Sequence, residues 1–205
     1  MTVLPKIATK RFRSILLPVM GALALSACGI NSVPTAEENA KAKWADVQAQ
    51  YQRRANLTGN LVATVKAAGK QEQATLTAVT EARAKATSIQ INAADLSDPA
   101  KVAQYQAAQA QLSQGLGRLL ASVEAYPDLK TNENFLQLQS QLEGTENRIA
   151  VSIRDYNEAV QAYNTRIRTF PDAIGAKLIH GAKPMAPFQA VTPGAEEAPK
   201  VDFGN

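Results

Sequence analysis

Cys28 is the only cysteine in a chain of 205 residues, and it closes the tetrad Leu25-Ser26-Ala27-Cys28 directly behind a short apolar segment. This is the pattern of a bacterial lipoprotein processing site. Lys6, Lys10, Arg11 and Arg13 form a positive n-region, Ile15 to Ala27 form an apolar run interrupted by Pro18 and Gly21, and small residues precede the thiol. The chemistry expected there is alkylation of the Cys28 sulfur by a diacylglyceryl group, cleavage of the peptide bond before it, and acylation of the new amine. The apolar run is about 13 residues, short of the roughly 20 that span a hydrocarbon core. Two or more acyl chains, at about 0.8 kcal/mol per buried methylene, would hold the mature chain stably. An ordinary secretory signal followed by a chance cysteine is the alternative reading.

Other chemistry-bearing residues are sparse. His180 is the only histidine, and no second ligand stands at metal-binding spacing from it. Gly115-Leu116-Gly117 lies inside a helical pattern and follows no strand, so it reads as a close-packing site rather than a phosphate loop. With Cys28 lipidated, no thiol remains for catalysis, a disulfide or a metal. No catalytic residue, cofactor or metal is therefore expected. Charge adds a further exclusion: the chain carries 22 basic and 18 acidic residues, but four of the basic ones lie in residues 1–27. The mature chain would hold 18 of each, and a nucleic-acid role loses its main support.

Polar residues at helical spacing are the better candidates for a specific role. Arg53 and Arg54 sit where an apolar face continues, and Glu146, Asn147 and Arg148 interrupt another. Spacing alone favours a solvated face with ion pairs worth about 0 to 1 kcal/mol each; the alternative is a buried cluster that fixes helix register. Tyr156-Asn157 and Tyr163-Asn164 are seven residues apart, so both pairs face the same way. Their tyrosines are expected in the core with asparagines at its rim bonding neighbouring helices. A binding strip for a partner helix is the sharper alternative.

These residues must be carried by helices, since nothing in the mature chain reads as a strand. Residues 28–34 read as a lipid tether, and Thr35 as the cap of a first helix ending near Gly69, with Trp44, Val47, Tyr51, Ala55, Thr58, Val62 and Val65 along one face. A second helix is expected from about Lys70 to Ala94. Ser97-Asp98-Pro99 opens a third, whose seam is Val102, Tyr105, Gln109, Leu112, Leu116, Leu119 and Val123. After Tyr126-Pro127-Asp128, a fourth is expected from about Asn132 to Thr169, lined by Phe135, Leu138, Leu142, Ile149, Ile153, Tyr156, Val160, Tyr163, Ile167 and Phe170. The chain thus divides into a signal peptide (1–27), a tether (28–34), a helical body (35–172) and a mostly disordered, proline-rich tail (173–205) in which Phe188 alone is a candidate to dock.

Several separated motifs carry a resemblance. Arg53-Arg54-Ala55-Asn56-Leu57, Asn60-Leu61-Val62-Ala63-Thr64-Val65-Lys66, Tyr126-Pro127-Asp128-Leu129-Lys130 with Asn134-Phe135, Glu146-Asn147-Arg148-Ile149-Ala150 and the Tyr-Asn repeats ending in Phe170-Pro171 together resemble the LemA family over roughly residues 40 to 172. The resemblance implies an all-α, elongated antiparallel four-helix bundle at the cell envelope with most of its mass outside the cytoplasm. No enzymatic activity or cofactor is established for that family. Gly59 stands where the family commonly has proline, and Gln71-Glu72 where it often has His-Glu, so any site built on that histidine is missing here.

The functional expectation is a non-enzymatic envelope lipoprotein, attached to the membrane through Cys28, that contacts an unknown envelope protein or another copy of itself. Arg53, Arg54 and Asn60, with the Tyr126 to Asn134 region, are candidate contacts. Gly29 rather than aspartate after Cys28 favours the outer membrane, facing the periplasm, over the inner. An accessory role in membrane proteolysis or envelope stress is a second reading, and a hydrolase a third.

Overall fold

The computed structural model describes residues 7–68 and 73–189, with side chains from Asn31 onward. Four long helices form an antiparallel bundle: α1 (Ile7–Ala67), α2 (Gln73–Ser88), α3 (Pro99–Val123) and α5 (Glu133–Arg166). Short helices α4 (Pro127–Lys130) and α6 (Asp172–Gly175) lie between and after them, followed by one wide turn over Ala176–His180. The described residues contain no strand. Helix α1 packs chiefly along α5, and α2 along α3.

Local chemistry explains the helix ends. Asp98 accepts from the Ala100 and Lys101 amides at 3.0 and 3.4 Å, and Pro99 at the first helical position needs no donor partner. Asn132 caps α5 through the Phe135 amide at 3.2 Å. Helix α2 ends at Ser88, short of the expected Ala94. The chain there turns extended to carry Ile91 into the core, where Gln48 donates to the Ile91 carbonyl at 3.1 Å, and Asp95 then accepts from the Asn92 amide at 3.0 Å.

Two expectations about the chain's ends are corrected. Residues 29–34 are helical and belong to α1: Val33 is fully buried, and Thr35 caps nothing, its hydroxyl donating to the Asn31 carbonyl at 2.7 Å. Burial of Val33 against the far end of the bundle outweighs the break that Pro34 signals locally. Residues 173–189 are not a disordered tail. They form α6, the wide turn and an extended strap over 182–189 that buries Met185 and Ala186. Residues 190–205 lie outside the described part.

Buried side chains form two apolar clusters stacked along the bundle. Nearer α6, Trp44, Tyr51, Tyr105 and Tyr156 pack with Val33, Val47, Leu96, Ile149 and Val160. At the other end, Leu57, Leu61, Val65, Leu76, Val79, Leu112, Leu116, Leu119, Phe135 and Leu142 make an aliphatic core. Every seam position expected on α3 is buried, Gln109 included. Gly115 meets α2 closely, since a Cβ there would lie 3.4 Å from Val79. Phe170 departs from the expected face of the fourth helix, because α5 ends at Arg166 and leaves that ring outside the core.

The aromatic cluster is tight. Trp44 lies 5.4 Å from Tyr105 and 5.2 Å from Tyr156 between ring centroids, and Tyr51 lies 5.7 Å from Tyr105. Burial raises the Tyr51, Tyr105 and Tyr156 phenols above the ordinary 10.0, Tyr105 to about 12, while Arg54 pulls Tyr51 and Tyr105 the other way. A phenol raised in this way keeps its proton in the folded state after the unfolded chain has lost it. Its stabilising effect is therefore whole below pH about 10 and is lost as pH climbs from there toward the folded values. The melting temperature should hold level to pH about 9 and fall above about 10. Tyr105→Phe should shallow that decline, and an equally steep decline in the variant would count against this account.

Candidate functional site

Between the two apolar clusters lies a belt of polar side chains containing every buried polar residue among those described: Arg54, Thr58, Gln106, Gln109 and Thr145. Arg54 is its centre, only 2 % exposed. The guanidinium donates through one terminal nitrogen to Ser113 at 2.7 Å and Glu146 at 3.2 Å, and through the other to the Gln109 carbonyl at 3.0 Å and Gln109 Oε1 at 2.8 Å. Gln109 passes the connection to α2 by donating to the Ala86 carbonyl at 3.1 Å. One side chain thus joins α1, α3 and α5, and α2 through one intermediary.

The guanidinium also lies over the Tyr51 ring, its Cζ 4.8 Å from the centroid, while Arg54 Nε is buried with no hydrogen-bond partner. The balancing carboxylate, Glu146, is 47 % exposed, so the charge pair sits half in water. Nearby, Arg83 crosses from α2 to donate to the Ala55 carbonyl at 2.7 Å, passing over Gly59 where a Cβ would stand 3.2 Å from the guanidinium carbon. A cavity of about 130 Å³ opens beside this belt, lined by Gln48, Tyr51, Thr87, Tyr105 and Gln109.

Of the cluster expected around Arg53, Arg54, Asn60, Glu146, Asn147 and Arg148, the fold brings together Arg54 and Glu146 alone. Arg53, Asn60, Asn147 and Arg148 are exposed. The solvated-face reading therefore fails for Arg54 and holds for its neighbours. The physical reason is phase: Arg54 falls on the buried face with Tyr51, Ala55 and Thr58, whereas Arg53 is rotated off it. The lipidation expected at Cys28 lies outside the described side chains, as does the signal segment before it. His180 is exposed beside Gly181. Among the described residues no group of three or more His, Cys, Asp or Glu is placed to hold a metal ion.

A second assembly uses the Tyr-Asn repeats. The tyrosines are buried as expected, but the asparagines bond the chain's own strap rather than a neighbouring helix. Asn164 accepts from the Met185 amide at 2.9 Å and donates to the Met185 carbonyl at 2.8 Å. Asn157 does the same for Phe188, at 2.7 and 2.9 Å. Each carboxamide thereby replaces a strand neighbour. Tyr163 donates to the Lys183 carbonyl at 3.0 Å and Tyr156 to the Ala186 carbonyl at 2.9 Å, while the Ala186 amide donates to the Leu96 carbonyl at 2.8 Å.

The strap reads Lys183-Pro184-Met185 followed by Ala186-Pro187-Phe188, two triplets with proline in the middle and a large apolar residue last. Each triplet is held by one Tyr-Asn pair. Two turns of α5 rise about 10.5 Å, and three residues of extended proline-rich chain rise about 9 Å, so the seven-residue and three-residue repeats run in register. Proline falls where no amide needs a partner, and the apolar residues reach inward: Phe188 lies 6.1 Å from Tyr51 and 6.3 Å from Trp44. Gly181, at φ +55°, makes the left-handed turn that starts the strap. The sequence signal was this matched pair of repeats. Composition alone concealed it.

The model of the LemA family matches residues 43–203. The chain belongs to the LemA family. The match covers α1 from Lys43 onward and includes the strap, so it extends past the Pro171 limit of the motif resemblance. Protein LemA of Metamycoplasma hominis is 30 % identical over 99 residues, 48 % of this chain and 41 % of that protein. Magnetosome proteins MamQ 1 and MamQ 2 of Paramagnetospirillum magneticum are each 27 % identical over 171 residues, covering 76 % of this chain and 63 % of theirs. This LemA-family chain spans less than two thirds of the length of these relatives.

Two outcomes follow from the geometry. Arg54→Ala should cost on the order of 3 kcal/mol, because it removes a buried stem together with bonds to three partner residues, whereas Glu146→Gln at its half-exposed edge should cost under about 1 kcal/mol. Urea unfolding midpoints of both variants check the ranking. Asn164→Ala should speed hydrogen exchange of the Met185 amide by about tenfold or more, with the α3 amides unchanged. If Met185 exchanges as before, Asn164 does not hold the strap.

Proposed function

We propose that this LemA-family chain is a membrane-anchored, non-enzymatic envelope lipoprotein: a helical rod held at one end through lipid on Cys28 and offering its sides to another envelope protein or a second copy. The observation that carries this reading is the continuity of α1, which runs from the residues around Cys28 into the bundle core without a break. Cleavage before Cys28 would leave a helix whose first buried side chain among those described, Val33, comes five residues on. A lipid there would hold the bundle close to the membrane, with no flexible linker between.

Among the described residues no helix is long and apolar enough to cross a membrane, and lipid at Cys28 supplies an attachment that needs none. Two relatives are named magnetosome proteins, which supports a role as a component of a larger structure. Gly29 after Cys28 favours the outer membrane, facing the periplasm. Exposed Arg53, Asn60, Asn147 and Arg148 leave charged and amide groups on the sides of the rod for a partner.

Cys28→Ala decides the anchor. Metabolic labelling with palmitate should be lost, and an unprocessed precursor about 27 residues longer than the mature form should accumulate. A variant that labels and fractionates as the parent does would refute lipidation at this residue.

A further inference from the structure

Exposed large apolar side chains on this molecule are not scattered. Of the six among the described residues, Phe170, Ile174, Leu178 and Ile179 fall within one short segment and are 75 %, 52 %, 78 % and 59 % exposed. The segment is ordered and not loose: Gly175 and Ala176 are buried, Ala176 shares the core cluster of Val33 and Ala40, and α6 packs on α1. The apolar residues are therefore held outward by a fixed backbone, at a cost in water that a covered surface would remove.

Position identifies what covers them. Helix α6 packs on α1, and the antiparallel pairing of Trp44 with Tyr156 and Arg54 with Glu146 puts the residues after α5 at the Val33 end of α1, in whose cluster Ala176 also lies. From there α1 runs on toward its N-terminus and reaches Cys28, the first residue of the proposed mature chain, after five residues, a rise of about 8 Å. Leu136, another exposed apolar residue, follows Phe135 of the opposite, aliphatic end.

Charge points the same way. Residues 166–183 carry Arg166, Arg168, Lys177 and Lys183 against one acid, Asp172, which pairs with Arg166 at 3.9 Å. Apolar side chains interleaved with basic ones on a short helical surface suit the interface of an anionic bilayer, where the rings and branched chains enter the headgroup boundary and the cations meet lipid phosphates.

We propose that Phe170, Ile174, Leu178 and Ile179, flanked by Arg168 and Lys177, form a cap that docks into the anionic lipid surface beside the anchor. The inference rests on the reading that the chain is membrane-anchored through its N-terminal region. A lipid alone would leave the rod free to swivel; a second contact fixes its tilt.

The test uses the full processed chain in vesicles of phosphatidylethanolamine and phosphatidylglycerol. Leu178→Cys carries a bimane label, Cys28 being blocked by lipid, and Leu136→Cys is the reference at the opposite end. Lipid bearing a headgroup-level nitroxide should quench the Leu178 probe at least about twofold and leave the Leu136 probe unchanged. Replacing phosphatidylglycerol with phosphatidylcholine should reduce that quenching. If the chain floats with the vesicles but the two probes respond alike, the cap is refuted and the anchor stands. Crosslinking of Leu178→Cys between copies, without quenching, refutes it in favour of self-association. Failure of the chain to float refutes the anchor reading itself.

Discussion

The buried guanidinium of Arg54 is the constraint on which the arrangement of the helices depends. It lies between an aromatic and an aliphatic cluster, and its partners come from α3 and α5. Apolar side chains at heptad-like spacing tolerate a slip of one turn, because one leucine replaces another with little loss. A fork of directed donors does not tolerate it. A shift of α3 by a turn would move Gln109 and Ser113 about 5 Å away and leave a cation buried without acceptors. Replacement of such a group by a well-packed apolar residue is often neutral or stabilising, so its contribution here is register more than strength. Placing the carboxylate at the half-exposed edge avoids desolvating two charges together.

With register fixed, α5 presents its Tyr-Asn pairs at a constant spacing along one groove, and the strap becomes possible. An extended chain crossing a helical surface has no helix or sheet to satisfy its amides and carbonyls. Here two asparagines, two tyrosines and the Leu96 carbonyl supply those partners. Proline at 184 and 187 removes two amides that nothing in the groove would meet, and it reduces the freedom lost on ordering. Phe188 then enters the aromatic cluster that Trp44 and Tyr51 leave open on that side. The two assemblies are consecutive in the same core, since Tyr51 carries the Arg54 guanidinium on its ring and stacks with Phe188.

What could be read from sequence follows the range of each interaction. The α3 seam from Val102 to Val123 was legible because its residues bury through a periodic rule, and Asp98-Pro99 was legible because a cap acts over three residues. Arg54 was not separable from Arg53 by type. Only the phase of the helical face, with Tyr51, Ala55 and Thr58, distinguishes them, and a buried arginine contradicts the ordinary expectation for its charge. The strap and residues 29–34 escape a reading of the sequence for a shared reason: proline and small polar residues remove local structure, while the partners that restore it, the Tyr-Asn pairs of α5 for the strap and the core cluster for Val33, lie far along the chain. The side chains at Cys28 lie outside the described residues, so the most specific motif in the sequence rests on its own chemistry.

The order of these elements along the bundle has a mechanical consequence. Arg54 stands near the middle, where bending would open the bundle, and ties three helices across it. Toward α6, the strap adds a fifth segment beside α5, and Ala176 joins the core cluster that holds Val33 while α6 packs on α1. The end at which α1 leaves the core is thus the most heavily crosslinked by side chains, and the aliphatic end relies chiefly on packing, with the pair of Lys130 and Glu124 at its surface. Helix α1 itself runs from Val33 past Arg54 to Leu57, Leu61 and Val65 and packs along α5, so a load applied through its N-terminal part passes directly from one cluster to the other, with α6 and the strap bracing the first. Were the bundle held from that end, as proposed, the reinforcement would stand where the moment on a supported rod is greatest.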